Sequence, residues 1–112
     1  MGGTTTDCSL VIEGRPQLQM TGRIGTHHVR QPMMAVDSIG AGGGSIIRLT
    51  ANGLQVGPDS AGASPGPACY GRGGVEPTLT DAFAVLGYFG TGTGTERPIS
   101  IDLEKAREAF GT

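Results

Sequence analysis

The residues of this chain best suited to chemistry stand at its start. Gly2-Gly3-Thr4-Thr5-Thr6-Asp7 leads directly into the strand-like run Cys8-Ser9-Leu10-Val11-Ile12. Two adjacent glycines let a backbone turn bring N–H groups against an anion with no Cβ in the way. Thr4, Thr5 and Thr6 add hydroxyl donors for phosphate oxygens, and Asp7 stands where a cation would accompany them. The alternative for the same residues is a hairpin turn with an incidental aspartate. A second small-residue segment, Gly40-Ala41-Gly42-Gly43-Gly44-Ser45, is too rich in glycine for a helix or a strand interior. Its framing by Ile39 and Ile46 reads as an ordered loop whose backbone passes close to a nucleotide or substrate, with a flexible linker as the alternative.

Other reactive side chains give weaker signals. His27 and His28 are adjacent, so on a strand they point to opposite faces and read as a solvated pair rather than metal ligands. Cys69, in Pro67-Ala68-Cys69-Tyr70, has no local base beside it and reads as a small buried residue rather than a nucleophile. Cys8 and Cys69 lack C-x-x-C spacing, so neither a disulfide framework nor a zinc site is indicated. Asp81 reads as electrostatic support for the start of a helix, and cleft lining is the lesser alternative.

The elements that must position these residues change character along the chain. Asp7 to Ile12, Gln17 to Met20 and Met34 to Ile39 read as strands, with Glu13-Gly14-Arg15-Pro16 as a turn. Ser45 to Leu49 and Leu54 to Val56 flank Asn52-Gly53, a strong hairpin signal. Gly57 to Gly71 carries three prolines and four glycines, which predicts irregular backbone throughout. Beyond Pro77, Thr80 is the expected N-cap of a helix over Asp81 to Leu86, closed by Gly87. Gly90 to Thr95 reads as a flexible link. A last helix is expected after Asp102 as N-cap, with Leu103, Ala106 and Phe110 on one face.

Composition predicts a thin core. Gly 21 and Pro 7 together make a quarter of the 112 residues, and Leu, Ile, Val and Phe about a fifth, close to the level of disordered chains. A net charge of only -2 and several apolar segments argue against disorder. The arginines are scattered and form no basic stripe for nucleic acid. No apolar run is long enough to span a bilayer and no signal peptide is visible, so a reduced, cytoplasmic setting is the default.

Taken in order, these segments carry a resemblance. The opening loop resembles the second phosphate loop of the actin-like ATPases, roughly D-x-G-G-x-T-x-D before an apolar strand. Its first aspartate would precede Met1, so the expectation is a piece of a larger catalytic chain. MGGTTTDCSLV, PMMAVDSIGAGGGSI, GLQVGPDSAGASPGPACYGRGG and PTLTDAFAVLGYF together resemble the C-terminal part of the hydantoinase A/5-oxoprolinase domain, over roughly residues 1 to 90. The resemblance implies an α/β fold, an incomplete actin-like (RNase H-like) lobe with a hairpin-rich first half followed by helices. It departs from the family pattern at Phe83, where asparagine is usual, and near Thr50, where an acid is usual.

The activity implied is ATP-dependent opening of a cyclic amide of the hydantoin or 5-oxoproline type. Amide resonance makes a lactam poorly electrophilic, and phosphorylating its oxygen lets water open the ring, so the protein mainly positions groups and neutralises charge. Gly2, Gly3, Thr4, Thr5 and Thr6 would then hold phosphates, and Asp7 would orient a water bound to Mg2+. Gly42, Gly43, Gly44 and Ser45 would approach the nucleotide or substrate. The implied partner is a hydantoinase B-type subunit or domain. Alternatives are a subunit of an acetone carboxylase-type enzyme acting on a ketone, and a non-catalytic glycine-rich binding domain.

Overall fold

The computed structural model describes residues 1–90 and 99–111. It is a small, strand-rich α/β structure divided into two units. One unit comprises residues 1–6 and the chain from Gly40 onward, and the other is Asp7–Ile39.

The Asp7–Ile39 unit is a long ribbon. Strand β1 (Thr6–Ser9) pairs with β8 (Val36–Ile39), β4 (Leu18–Gln19) with β7 (Met33–Met34), and β5 (Gly22–Ile24) with β6 (His27–Val29). A side hairpin joins β2 (Val11–Ile12) to β3 (Arg15–Pro16). Its two-residue turn places Glu13 at φ 50° and Gly14 at φ 74°, the left-handed pair that matches strand twist in a tight hairpin. The turn is therefore Glu13-Gly14 alone, and Arg15-Pro16, expected within it, is a strand. The strand expected from Asp7 to Ile12 breaks at Leu10, whose carbonyl accepts the Gln17 N–H at 2.9 Å. The one from Met34 to Ile39 breaks at Ala35, which donates to the Gln17 carbonyl, also at 2.9 Å. The short pieces follow from these exchanges. Leu10, Val11, Ile12, Leu18, Met20, Ile24, Met34, Val36 and Ile39 are all exposed, so this unit has no apolar interior of its own.

The other unit is built on β9 (Ser45–Thr50) and β10 (Gly53–Ser60), antiparallel with Leu49 opposite Leu54 and the turn at Ala51-Asn52. The hairpin is where Asn52-Gly53 placed it. Strand β10 continues to Ser60, through residues expected to be irregular, because the register shifts between Val56 and Ser60 and absorbs the Gly57-Pro58 step as a bulge. A single 3-10 turn, η1 (Ala68–Tyr70), interrupts the loop that follows.

Helix α1 spans Leu79–Val85 and α2 spans Leu103–Ala109. Asp102 caps α2 as its sequence predicts, accepting the Lys105 N–H at 3.1 Å. The cap of α1 is Thr78 and not Thr80: the Thr78 side chain accepts the Asp81 N–H while Asp81 accepts the Thr78 N–H, a reciprocal capping box. Gly87, at φ 79°, follows the helix end as expected. The core gathers Cys69, Ala84 and Ala106, with Tyr70, Phe89 and Ile101 packed against them. Ala106 is the deeply buried residue of the α2 face, while Leu103 and Phe110 remain partly exposed. The expected link from Gly90 to Thr95 lies, past Gly90, outside the described residues.

Candidate functional site

Two glycine turns far apart in sequence are hydrogen-bonded together. The Gly2 N–H donates to the Thr5 carbonyl at 2.8 Å, closing the first turn. Its carbonyls then receive the second turn: Gly43 N–H donates to the Gly2 carbonyl at 2.9 Å and Gly44 N–H to the Gly3 carbonyl at 2.6 Å. A Cβ on Gly42 would lie 2.6 Å from the Thr4 nitrogen and 2.7 Å from the Gly2 oxygen, so only glycine permits this approach. The second turn also closes on itself, with Gly42 N–H donating to Ser45 Oγ at 2.8 Å and Ser45 N–H to the Gly42 carbonyl at 3.0 Å.

Helix α1 holds the pair from one end. Both the N–H and the hydroxyl of Thr80 donate to the Gly43 carbonyl, each at 2.8 Å. Asp81, fully buried, fixes the base of that helix against η1. Its carboxylate accepts from Cys69 N–H at 2.7 Å, Ala68 N–H at 3.2 Å, Thr78 N–H at 2.9 Å and the Thr78 hydroxyl at 2.8 Å. The neighbouring Cys69 thiol is pushed up to about 12, first by burial and then by its hydrogen bond to Asp81 and that group's charge. It is inert at neutral pH, in line with its reading as a small buried residue.

These contacts frame a cleft of about 400 Å³ lined by Gly2, Gly3, Thr4, Gly43, Gly44, Gly62, Ala63, Pro67, Tyr70 and Thr80. None of these side chains is charged. The N–H groups of Gly3 and Thr4 have no hydrogen-bond partner among the described residues. Successive unpaired amides beside glycine carbonyls already engaged elsewhere are suited to an anion.

Five of the sequence-predicted residues thus meet at one cleft: Gly2, Gly3, Thr4, Gly43 and Gly44. Thr5, Thr6, Gly42 and Ser45 belong to the same unit without lining the cleft. The Thr5 carbonyl closes the first turn, and the Thr6 hydroxyl donates to the Ala41 carbonyl at 2.5 Å. Gly42 lies beneath Thr4, and Ser45 is fully buried, so both shape the loop from within. Asp7 is exposed, belongs to the ribbon unit and accepts the Ser38 hydroxyl at 2.5 Å. His27 and His28 are exposed on β6, and the described residues contain no group of three or more His, Cys, Asp or Glu able to hold a metal. Tyr70, Pro67 and Thr80 line the cleft with no local sequence signal, while Asp81 supports the start of α1 as expected and also clamps it to η1. The Thr78-x-x-Asp81 spacing of a capping box was the available signal for the clamp.

The model of the hydantoinase/oxoprolinase family matches residues 1–112. The chain belongs to that family. It is 46% identical to the caprolactamase subunit alpha of Pseudomonas jessenii over 98% of its own length and 16% of that protein. It superposes on the crystal structure of the ATP-dependent caprolactamase from the same organism with a TM-score of 0.71, at 44% identity, over 100% of this chain and 16% of that one. The 5-oxoprolinase 1 of Arabidopsis thaliana is 40% identical over 98% of the chain and 9% of that protein. A nucleotide-free acetone carboxylase structure superposes with a TM-score of 0.65, at 30% identity, over 97% of this chain and 16% of that one. The chain therefore spans less than a fifth of the length of these relatives, and the caprolactamase and acetone carboxylase structures both contain the fold seen here.

Proposed function

We propose that this chain supplies part of the nucleotide site of an ATP-dependent enzyme that opens a cyclic amide. The observation that carries this reading is the stacking of Gly2–Thr4 on Gly42–Gly44, which leaves the Gly3 and Thr4 amides unpaired at a cleft free of charged side chains. Gly3, Thr4 and the Thr4 hydroxyl would hold phosphate oxygens. Gly43 and Gly44 keep the approach open, since a side chain on Gly43 would collide with the Thr80 hydroxyl and one on Gly44 would press on the Gly3 carbonyl. The fit to phosphate is sound: small residues, donors in succession, and a rigid loop behind them. ATP held there would supply the phosphoryl group that activates the amide oxygen, so that water could open the ring with the nitrogen freed as an amine and with ADP and phosphate as the other products.

A magnesium ion would be held here by phosphate oxygens and water, since the N–H donors of the turn suit an anion and not a cation. Mg2+ keeps several waters and takes few protein ligands alongside phosphate oxygens. Asp7 is the candidate to orient one such water, its second carboxylate oxygen being free of the Ser38 bond. We assign the fold to an actin-like lobe, the active enzyme to the cytoplasm, and the partner to a hydantoinase B-type subunit or domain. The subunit designation of the caprolactamase relative supports the last of these.

A carboxylase acting on a ketone is the second reading, favoured by the likeness to acetone carboxylase. The two are separated by measuring ATP hydrolysis in the complete subunit that carries this segment, assembled with its partner. Stimulation by a five- to seven-membered lactam is the expected result. Stimulation only by a ketone with bicarbonate would select the carboxylase, and ATP turnover unaffected by either would remove both.

A further inference from the structure

We infer that Tyr70 orients the cyclic-amide substrate, its phenol oxygen accepting the amide N–H while the amide carbonyl is directed to the phosphate-binding turn. This rests on the cleft reading above and names how that cleft selects its substrate. Of the residues lining the cleft, only Thr4, Tyr70 and Thr80 carry a polar side chain. The Thr80 hydroxyl is committed to the Gly43 carbonyl at 2.8 Å, and Thr4 belongs to the turn proposed to hold phosphate. The Tyr70 hydroxyl has no hydrogen-bond partner among the described residues. It is the polar group left for a second ligand, and its neighbours Ala63 and Pro67 offer apolar surface to the methylenes of a ring.

The ring of Tyr70 is held from several sides. It packs against the Cys69, Ala84 and Ala106 cluster. Gly66 lies beside it, a Cβ there coming into ordinary contact with Tyr70 Cδ2 at 3.4 Å. The Tyr70 N–H donates to the Pro67 carbonyl at 3.1 Å, and the two preceding amides are bound by Asp81. A phenol fixed in this way loses little freedom on binding, which favours orientation over adaptable contact.

Chemistry decides the direction of the bond. The carbonyl oxygen of the amide is the nucleophile toward phosphorus, and a donor placed on it would withdraw the electrons the reaction needs. In a small ring the amide is cis, so N–H and C=O lie on the same side, and a group that accepts the N–H also fixes where the oxygen points. A phenol oxygen meets that need without adding charge beside phosphates. A ketone offers no N–H, so the same contact discriminates between the two substrate classes of the family.

The test compares unsubstituted enzyme with Tyr70→Phe in the complete subunit and its partner, using one lactam and its N-methyl derivative, the latter as substrate or as competing ligand. Phenylalanine keeps the packing, and matching melting temperatures establish that the fold is intact. With one neutral hydrogen bond lost, the specificity constant kcat/KM for the N–H lactam should fall roughly five- to tenfold. The fall should lie mainly in the lactam KM, with the KM for ATP and the affinity for the N-methyl lactam unchanged. Equal loss for both lactams, no loss for either, or a shift in the KM for ATP would overturn the assignment. If the unsubstituted enzyme shows no lactam-dependent ATP turnover, the cleft reading itself falls and this assignment with it.

Discussion

Asp81 is the side chain on which the local architecture converges, although it does not line the cleft. Its carboxylate ties Thr78, at the cap of α1, to Ala68 and Cys69, which set the course of η1 toward the cleft. Asp81→Asn keeps the shape but turns one acceptor oxygen into a donor facing N–H groups. It should cost about 1.5–3 kcal/mol, the range for hydrogen bonds to a charged group, read as a lowered urea midpoint. A change within experimental error would show that the clamp is dispensable. Cys69 gives a second expectation. Its thiol is raised from 9.0 to about 12 in the folded chain, so between those values the unfolded state has lost a proton that the folded state retains. The stability from this group is therefore complete below pH 9 and declines as pH rises from 9 toward 12. Cys69→Ala should flatten that part of the stability profile. Thiol titration at pH 8 should label exposed Cys8 and leave Cys69 unlabelled until the chain unfolds.

At the scale of elements, the stacking of the two glycine turns is the feature most sensitive to a single methyl group. Gly42→Ala puts a Cβ under 3.0 Å from three backbone atoms of the first turn, which cannot rotate away as a side chain would. Overpacking of this kind costs about 1–3 kcal/mol, and a thermal melt should register it as a lowered Tm together with weaker nucleotide binding. A melt identical to the parent would mean that the turns do not meet. Local patterning made much of this scale legible. Both helices, the Asn52-Gly53 hairpin and the Glu13-Gly14 turn rest on contacts within a few residues, and the sequence carries them openly. The α1 cap was misplaced because Thr78 and Thr80 are equally good caps by type, and only the partner three residues on separates them. The meeting of Gly2–Gly3 with Gly43–Gly44 has no local signature, since it is made by backbone groups some forty positions apart. Tyr70 was hidden for the same reason: a loop dense in glycine and proline gives no period from which to tell which side chain faces inward.

On the scale of the whole molecule, the apolar surface is unevenly distributed. Residues 7–39 expose every large aliphatic side chain of the side hairpin and most of those along the ribbon, so burial supplies almost no stability within that unit. A peptide of residues 7–39 should show no cooperative thermal transition by circular dichroism, and a sharp one would contradict this. The rest of the chain has its own small core and contains the whole cleft, which is the part of the molecule to which the function is assigned. The central claim is that the Gly2–Thr4 turn binds the phosphates of ATP, and Gly3 is where it can be tested apart from folding. A Cβ built on Gly3 meets nothing within 4 Å inside the protein, so Gly3→Ala should leave the melting temperature unchanged. The same methyl would stand between the amides and a phosphate oxygen. In the complete subunit with its partner, the KM for ATP in lactam-dependent hydrolysis should rise by about tenfold or more, the equivalent of some 1.4 kcal/mol. An unchanged KM for ATP, with protein as stable as the parent, would place the phosphates elsewhere.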